Sequence, residues 1–357
     1  MKVINSIACI LFVLFISSCT SENSVKEEKE VLKVSLEGKV ILPEEIKGRV
    51  MTRVDNLLFF YQTGGEGDVF KIYDLDNNYK LVGAYGTFGD GPEEYLAPRI
   101  TDKEKVGNDY ILTIYDRFKN KVSAVSLNAI INNSEDKAVD RFSIDPKHSM
   151  NQDFLKIDEQ TYVATPGMEA TNRGRIHIYD ESTQEFSHND MIPKVAVYDN
   201  MESYEKYALY MTKLAKHPSK DKIVSIMFSF DRLDFYNSKG EHLQEVLGPE
   251  YESEFARVNM DGNSDNAKFF YQDVSVSENL IYTLYLNETL ETYITQDISD
   301  VGIKIYDWDG DQLAEISIPN FLTSIEIDEV RGKLYGIAPS EEKILEYDIS
   351  EVLKQIK

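Results

Sequence analysis

Lys222-Ile-Val-Ser-Ile-Met-Phe228, Arg232-Leu-Asp-Phe-Tyr-Asn237 and His242-Leu-Gln-Glu-Val-Leu247 follow one another with only short polar links between them. Runs this short, rich in β-branched and aromatic residues and bounded by Asp, Asn and Gly, read as strands joined by tight turns. The middle run ends in an aromatic followed by Asn. The same ending recurs in Val69-Phe-Lys-Ile-Tyr-Asp74, Arg175-Ile-His-Ile-Tyr-Asp180, Gly302-Ile-Lys-Ile-Tyr-Asp307 and Lys343-Ile-Leu-Glu-Tyr-Asp348. The interval from Tyr73 to Tyr179 is about twice the others and holds one more unit, Tyr110-Ile-Leu-Thr-Ile-Tyr-Asp116 followed by Lys121-Val-Ser-Ala-Val-Ser-Leu127. There the Tyr-Asp pair closes an earlier strand than elsewhere.

Six β units of this size, with three or four strands each, are the signature of a β-propeller: a lone unit cannot bury both faces, and a ring of them can. The fold class is therefore all-β, a six-bladed β-propeller. The 357 residues, which by length would suit two average domains, become one ring over residues 31–357. Helical periodicity stands out only at residues 201–210 and 350–357. The sixth unit lacks an outer strand, and Val31-Leu-Lys-Val-Ser-Leu36 has no other partner. An N-terminal strand is thus expected to close the last blade, with Val31–Leu36 in that place.

Between the first two units stands Tyr85-Gly-Thr-Phe-Gly-Asp-Gly-Pro-Glu-Glu-Tyr-Leu-Ala-Pro98. It resembles the glycine-rich pattern of NHL repeats, and more closely that of TolB-like six-bladed propeller lipoproteins of Bacteroidota. Gly86, Gly89, Gly91, Pro92, Tyr95 and Pro98 carry the match, while Glu94 and Tyr95 depart mildly from the usual residues. The resemblance implies a fold and a location more than an activity. No Lys-Ser or Lys-Thr follows these glycines, so the stretch reads as an inter-blade crossover and not a phosphate loop.

The chain begins with Lys2 and an apolar run of ten, Ile7 to Ile16, too short to span a bilayer and fitting a signal peptide. Ile16-Ser-Ser-Cys19 resembles a bacterial lipobox. Residues 1–18 then form the signal, Cys19 is the lipidated residue, and residues 19–30, polar and mixed in charge, form a flexible tether. Thr20 after the cysteine favours the outer membrane by analogy with lipoprotein sorting.

The 62 acidic and 38 basic residues give a net charge of −24. Removing the signal deletes one lysine and no acid, leaving −25. Such a balance excludes nucleic acid and attachment to anionic head groups through a basic patch, so the membrane is expected to be held through lipid alone. Both cysteines, Cys9 and Cys19, precede residue 20, which removes disulfides, thiolate metal sites and a cysteine nucleophile from the body. The five histidines show no zinc spacing, and no Gly-x-Ser-x-Gly elbow occurs. Asp307-Trp-Asp-Gly-Asp311 alternates acids as calcium loops do, but lacks the glutamate at the twelfth position and reads as a hairpin turn. No cofactor, metal or catalytic residue is assigned.

The expected function is an envelope binding or scaffold module for a protein, peptide or glycan. Its contacts are expected where innermost strands begin, at Arg53, Arg99 and Gln272. The alternatives are a propeller hydrolase, lyase or lactonase using channel carboxylates, and a purely structural envelope protein.

Overall fold

The computed structural model describes residues 30–42, 47–63, 67–91, 94–134, 137–145, 153–168, 174–189, 192–261, 267–295, 298 and 301–357. Two short N-terminal strands, β1 (Leu32–Ser35) and β2 (Lys39–Val40), precede six sheets taken in chain order. Blade one is β3 (Gly48–Val54), β4 (Leu57–Gln62), β5 (Asp68–Asp74) and β6 (Lys80–Phe88), extended by β7 (Glu94–Tyr95). Blade two is β8 (Pro98–Val106), β9 (Asp109–Asp116), β10 (Lys121–Ser126) and β11 (Ala138–Ser143). Blade three is β12 (Phe154–Lys156), β13 (Thr161–Ala164), β14 (His177–Asp180) and β15 (Glu185–His188). Blade four is β16 (Thr212–Lys216), β17 (Ile223–Met227), β18 (Arg232–Tyr236) and β19 (His242–Leu247). Blade five is β20 (Lys268–Val276), β21 (Leu280–Thr289), β22 (Val301–Asp307) and β23 (Gln312–Ile318). Blade six is β24 (Ser324–Asp328), β25 (Lys333–Ala338) and β26 (Lys343–Asp348).

Each junction between neighbouring blades has its own apolar core. Phe59 and Ile72 meet Leu112 and Ile114 between blades one and two. Tyr115 and Val122 meet Phe154 and Tyr162 at the next junction. Val163 and Ile176 meet Ile223 and Tyr236, and Val224 and Phe235 meet Ile281 and Tyr306. Ile303 and Ile316 meet Ile325 and Leu345, and Tyr335 and Ile337 return to Leu58 and Phe60 of blade one. Alternation along a strand divides one sheet between two such cores: Ile223 belongs to the junction on one side and Val224 to that on the other.

This geometry accounts for the Tyr-Asp marker. Tyr73, Tyr179, Tyr236, Tyr306 and Tyr347 end third strands, and each is buried against the preceding blade. Tyr115 ends a second strand and faces the following blade instead, stacking on Phe154 at 5.1 Å between ring centres. The next residue opens the turn by accepting an N–H two positions on. Asp74 does so from Asp76 at 3.0 Å, Asn237 from Lys239 at 3.0 Å and Asp348 from Ser350 at 3.0 Å. Asp307 takes the N–H groups of Asp309 and Asp311, both at 2.9 Å, so these acids build a hairpin turn as expected.

The ring closes through the N-terminal segment, with one correction. Residues 32–35 do not complete blade six. They run parallel to β23 (Leu32 beside Ala314, Ser35 beside Ser317) and extend blade five. Blade six receives β2, antiparallel to β26, with Lys39 beside Glu346. The segment therefore straddles two blades. Leu32, Val34 and Leu36 pack on the core between blades five and six, and Ile41 and Leu42 are buried between six and one. Gly38 makes the crossing possible, since a Cβ there would stand 2.8 Å from the Tyr347 ring.

The expected helices form at Ser203–Leu209 and Ser350–Ile356. Three more α-helices among the described residues were not anticipated: Leu127–Ile131, Tyr251–Asp261 and Leu290–Thr295. The helix at Tyr251–Asp261 buries Tyr251 and Val258 with Met227 and Phe230 over the end of blade four.

Candidate functional site

A propeller's innermost strands surround its axis, and here they are unusually polar. Residues 99–105 of β8 read Arg-Ile-Thr-Asp-Lys-Glu-Lys. A cavity of about 500 Å³ lies among them, and its wall takes residues from all six blades, including Met51, Arg99, Asp153, Lys213, Asp273 and Glu326.

Most polar groups of the wall are tied across blade junctions. Lys103 of blade two donates to the carbonyl of Arg53 in blade one. Glu104 pairs with Lys156 of blade three at 3.7 Å. Lys216 of blade four reaches Asp102 of blade two at 2.6 Å and donates to the Lys156 carbonyl at 2.6 Å, bridging three blades. Lys213 pairs with Asp273 between blades four and five. Ser275 donates to Glu326 of blade six at 3.2 Å. Arg53 closes the circle by donating to the Ile327 carbonyl at 2.8 Å and lying 3.3 Å from Asp328.

Two carboxylates also cap backbone. Asp153 accepts the Leu214 N–H at 2.8 Å, and Asp273 accepts the Ile325 N–H at 2.8 Å. Burial raises the Asp153 carboxyl above its ordinary value, and the nearby charges of Lys213 and Arg99 oppose that only in part.

The three residues expected at the channel fare differently. Arg99 lines the cavity and makes no hydrogen bond or ion pair among the described residues. Arg53 is committed to blade six, as above. Gln272 sits at a register shift in β20, one residue before Asp273, and its Oε1 is buried without a hydrogen-bond partner. Arg53 and Gln272 are not among the residues lining the cavity.

The glycine-rich stretch is a brace that delivers Arg99. Two of its glycines hold backbone that other residues rarely adopt, Gly86 at φ +74 and Gly89 at φ +148. Glu94 accepts the Gly91 N–H at 2.7 Å. Lys119 of blade two donates to the carbonyls of Gly91 and Glu94 at 2.6 and 3.0 Å, and Lys121 lies 4.1 Å from the centre of the buried Tyr95 ring. Asp116 accepts the N–H groups of Leu96 and Ala97 at 2.6 and 3.2 Å. The buried Pro98 then starts β8, and Arg99 follows it. Pro92 and Cys19 lie outside the described residues.

The channel pairs escaped the sequence reading because each joins strands far apart in the chain; Asp102 and Lys216 are 114 positions apart. The run of charges at 102–105 within a strand was the available signal.

Outside the channel, Asp234, His242 and Glu245 lie close enough to suggest a metal. The oxygens of Asp234 are already taken by Arg175 Nη2 at 2.5 Å, Arg232 Nη2 at 2.7 Å and His242 Nε2 at 2.8 Å, which makes the cluster an internal ion-pair network.

These features define a six-bladed β-propeller with a polar axial pocket. The chain belongs to the TolB-like six-bladed propeller family, whose sequence profile matches residues 28–330. Two of the solved structures that share the fold are from Bacteroides. A DUF4221-family protein from Bacteroides vulgatus is 12% identical, with 90% of this chain and 97% of that one covered at a TM-score of 0.53. A Bacteroides fragilis protein named as exported is 11% identical, with 89% and 98% covered at a TM-score of 0.55. At these identities the likeness speaks for the fold alone. No curated protein matches the sequence.

Proposed function

We propose that this protein is a lipid-anchored module of the cell envelope whose axial channel binds a ligand or a segment of a partner. The observation that carries this reading is the cavity itself. It draws polar groups from six blades into one place, as binding sites do, and leaves the Arg99 guanidinium without a hydrogen bond or ion pair among the described residues. Two carboxylates of the wall favour binding over hydrolysis. Asp153 and Asp273 each hold the backbone of the next blade, so neither is free to serve as an acid or base without loosening the ring. The partner classes in view are a protein, a peptide or a glycan.

The address in residues 1–18 and Cys19 supports export and lipidation, and the exported Bacteroides fragilis relative in fold is in keeping with this. No helix among the described residues is long and apolar enough to cross a membrane. Thr20 points to the outer membrane. With −25 on the mature chain, anchoring rests on lipid, since the anionic surface repels the body.

Two variants test the proposal. Cys19→Ala should move the protein from the membrane fraction to the soluble one; retention in the membrane would refute the anchor. Ala215→Cys places the body's single thiol on the channel wall, because no cysteine follows Cys19. Alkylating it with a bulky maleimide should abolish partner capture from an envelope extract. The same adduct at Val330→Cys, a fully exposed rim position, should leave capture intact. Equal capture by both adducts would refute the channel as the site.

A further inference from the structure

We propose that the channel takes a ligand through a single carboxylate, clasped by Arg99, with the ligand's apolar body lying along the wall beyond it. This deepens the channel reading above and rests on it.

Every other cation of the wall has an internal contact. Lys213 and Lys216 are in ion pairs, Lys103 holds a carbonyl, and Lys105 lies 5.6 Å from the Tyr110 ring centre. Arg99 has no hydrogen bond or ion pair among the described residues. The brace from Gly86 to Pro98 and the Asp116 carboxylate fix the start of β8 immediately before it. The fold thus positions a guanidinium whose hydrogen-bond donors have no partner among the described residues, though its charge acts on Asp153.

A guanidinium presents two parallel N–H donors in one plane, which match a carboxylate. Five cationic and five acidic side chains line the cavity, and Arg99 is the one guanidinium among them, without a hydrogen bond or ion pair among the described residues. A dianion such as phosphate would also meet Asp153, Asp273 and Glu326 on the same wall. Ile100, Leu155, Leu214 and Val276 supply apolar surface, and about 500 Å³ suits a small molecule or a few residues of chain.

The test uses the full chain in detergent and two matched probe pairs: 4-phenylbutyrate with 4-phenylbutyramide, and Ala-Leu-Phe with its C-terminal amide. Binding is read by calorimetry and by protection of the Ala215→Cys thiol from alkylation. In each pair that binds, the acid should bind roughly tenfold or more tightly than its amide, as expected for a charge-assisted hydrogen bond. Preference within the first pair identifies a free organic acid, and within the second a chain terminus. Arg99→Gln should erase the preference, Arg99→Lys should keep part of it, and the rim variant Arg331→Gln should keep all of it. Equal affinities of acid and amide, or an undiminished preference in Arg99→Gln, would overturn the carboxylate assignment. If acid and amide protect the thiol equally, the assignment fails and the channel reading survives. If no probe protects it, the assignment also fails, and the adduct experiment at Ala215→Cys decides the channel separately.

Discussion

Asp234→Asn should destabilise the ring by about 3–5 kcal/mol, the usual consequence of removing one partner from a buried ion pair. Asp234 is fully buried and is the hub of the junction between blades three and four. It faces Arg175, which has no exposed side-chain surface and also donates to Ser225, Tyr236 and the Ile192 carbonyl at 3.1, 2.9 and 2.9 Å. The amide would leave two guanidinium groups facing a neutral side chain. Burial alone would raise the Asp234 carboxyl, but Arg175, the His242 hydrogen bond and Arg232 together hold it far below the carboxylate range. A depressed folded value means that the unfolded chain takes up the proton first. The stabilisation is therefore complete above about pH 4 and is lost as the pH falls further. Urea midpoints read from the lone Trp308 should show a steeper acid-side loss in the wild type than in Asp234→Asn, which keeps only the loss from other depressed carboxylates such as Asp348. Arg175→Met combined with Asp234→Leu should cost less than the two single changes added together. Additive costs would show that the pair is not coupled.

The second large effect concerns closure. Removing the chain through Leu36 deletes β1 and three partly buried side chains, Leu32, Val34 and Leu36, and should cost about 2–4 kcal/mol. The ring remains closed, because β2 still completes blade six. Removing the chain through Leu42 also takes β2 and the buried Ile41 and Leu42. The further loss, about 3–6 kcal/mol, brings the total near the whole stability of an ordinary domain. That protein should show no cooperative urea transition and should aggregate through the bare edge of β26. Equal midpoints for the two truncations would contradict the straddling closure.

The architecture was legible because each blade repeats one local device, a buried Tyr followed by an Asp or Asn that starts a turn. Even the misplaced pair at Tyr115-Asp116 was visible, and the structure explains it by the opposite face of blade two. The choice between blades five and six for residues 32–35 was not legible. Both offer an outer edge, and it is decided by Gly38 passing under Tyr347. The helix at Tyr251–Asp261 was missed because its apolar face answers to the loops over blade four and to no repeat. At the site, counting strands reached Arg99. Arg53 and Gln272 satisfied the same rule, yet neither lines the cavity, because the tie to Asp328 and the bulge in β20 depend on partners distant in the chain.

A crystal structure of the full chain with 4-phenylbutyrate would test the account most directly. The ligand is expected in the axial cavity, its carboxylate within hydrogen-bond distance of the Arg99 guanidinium and its ring against Leu155 and Leu214. A ligand bound on the outer strands or the rim, with the channel lacking it, would contradict the account.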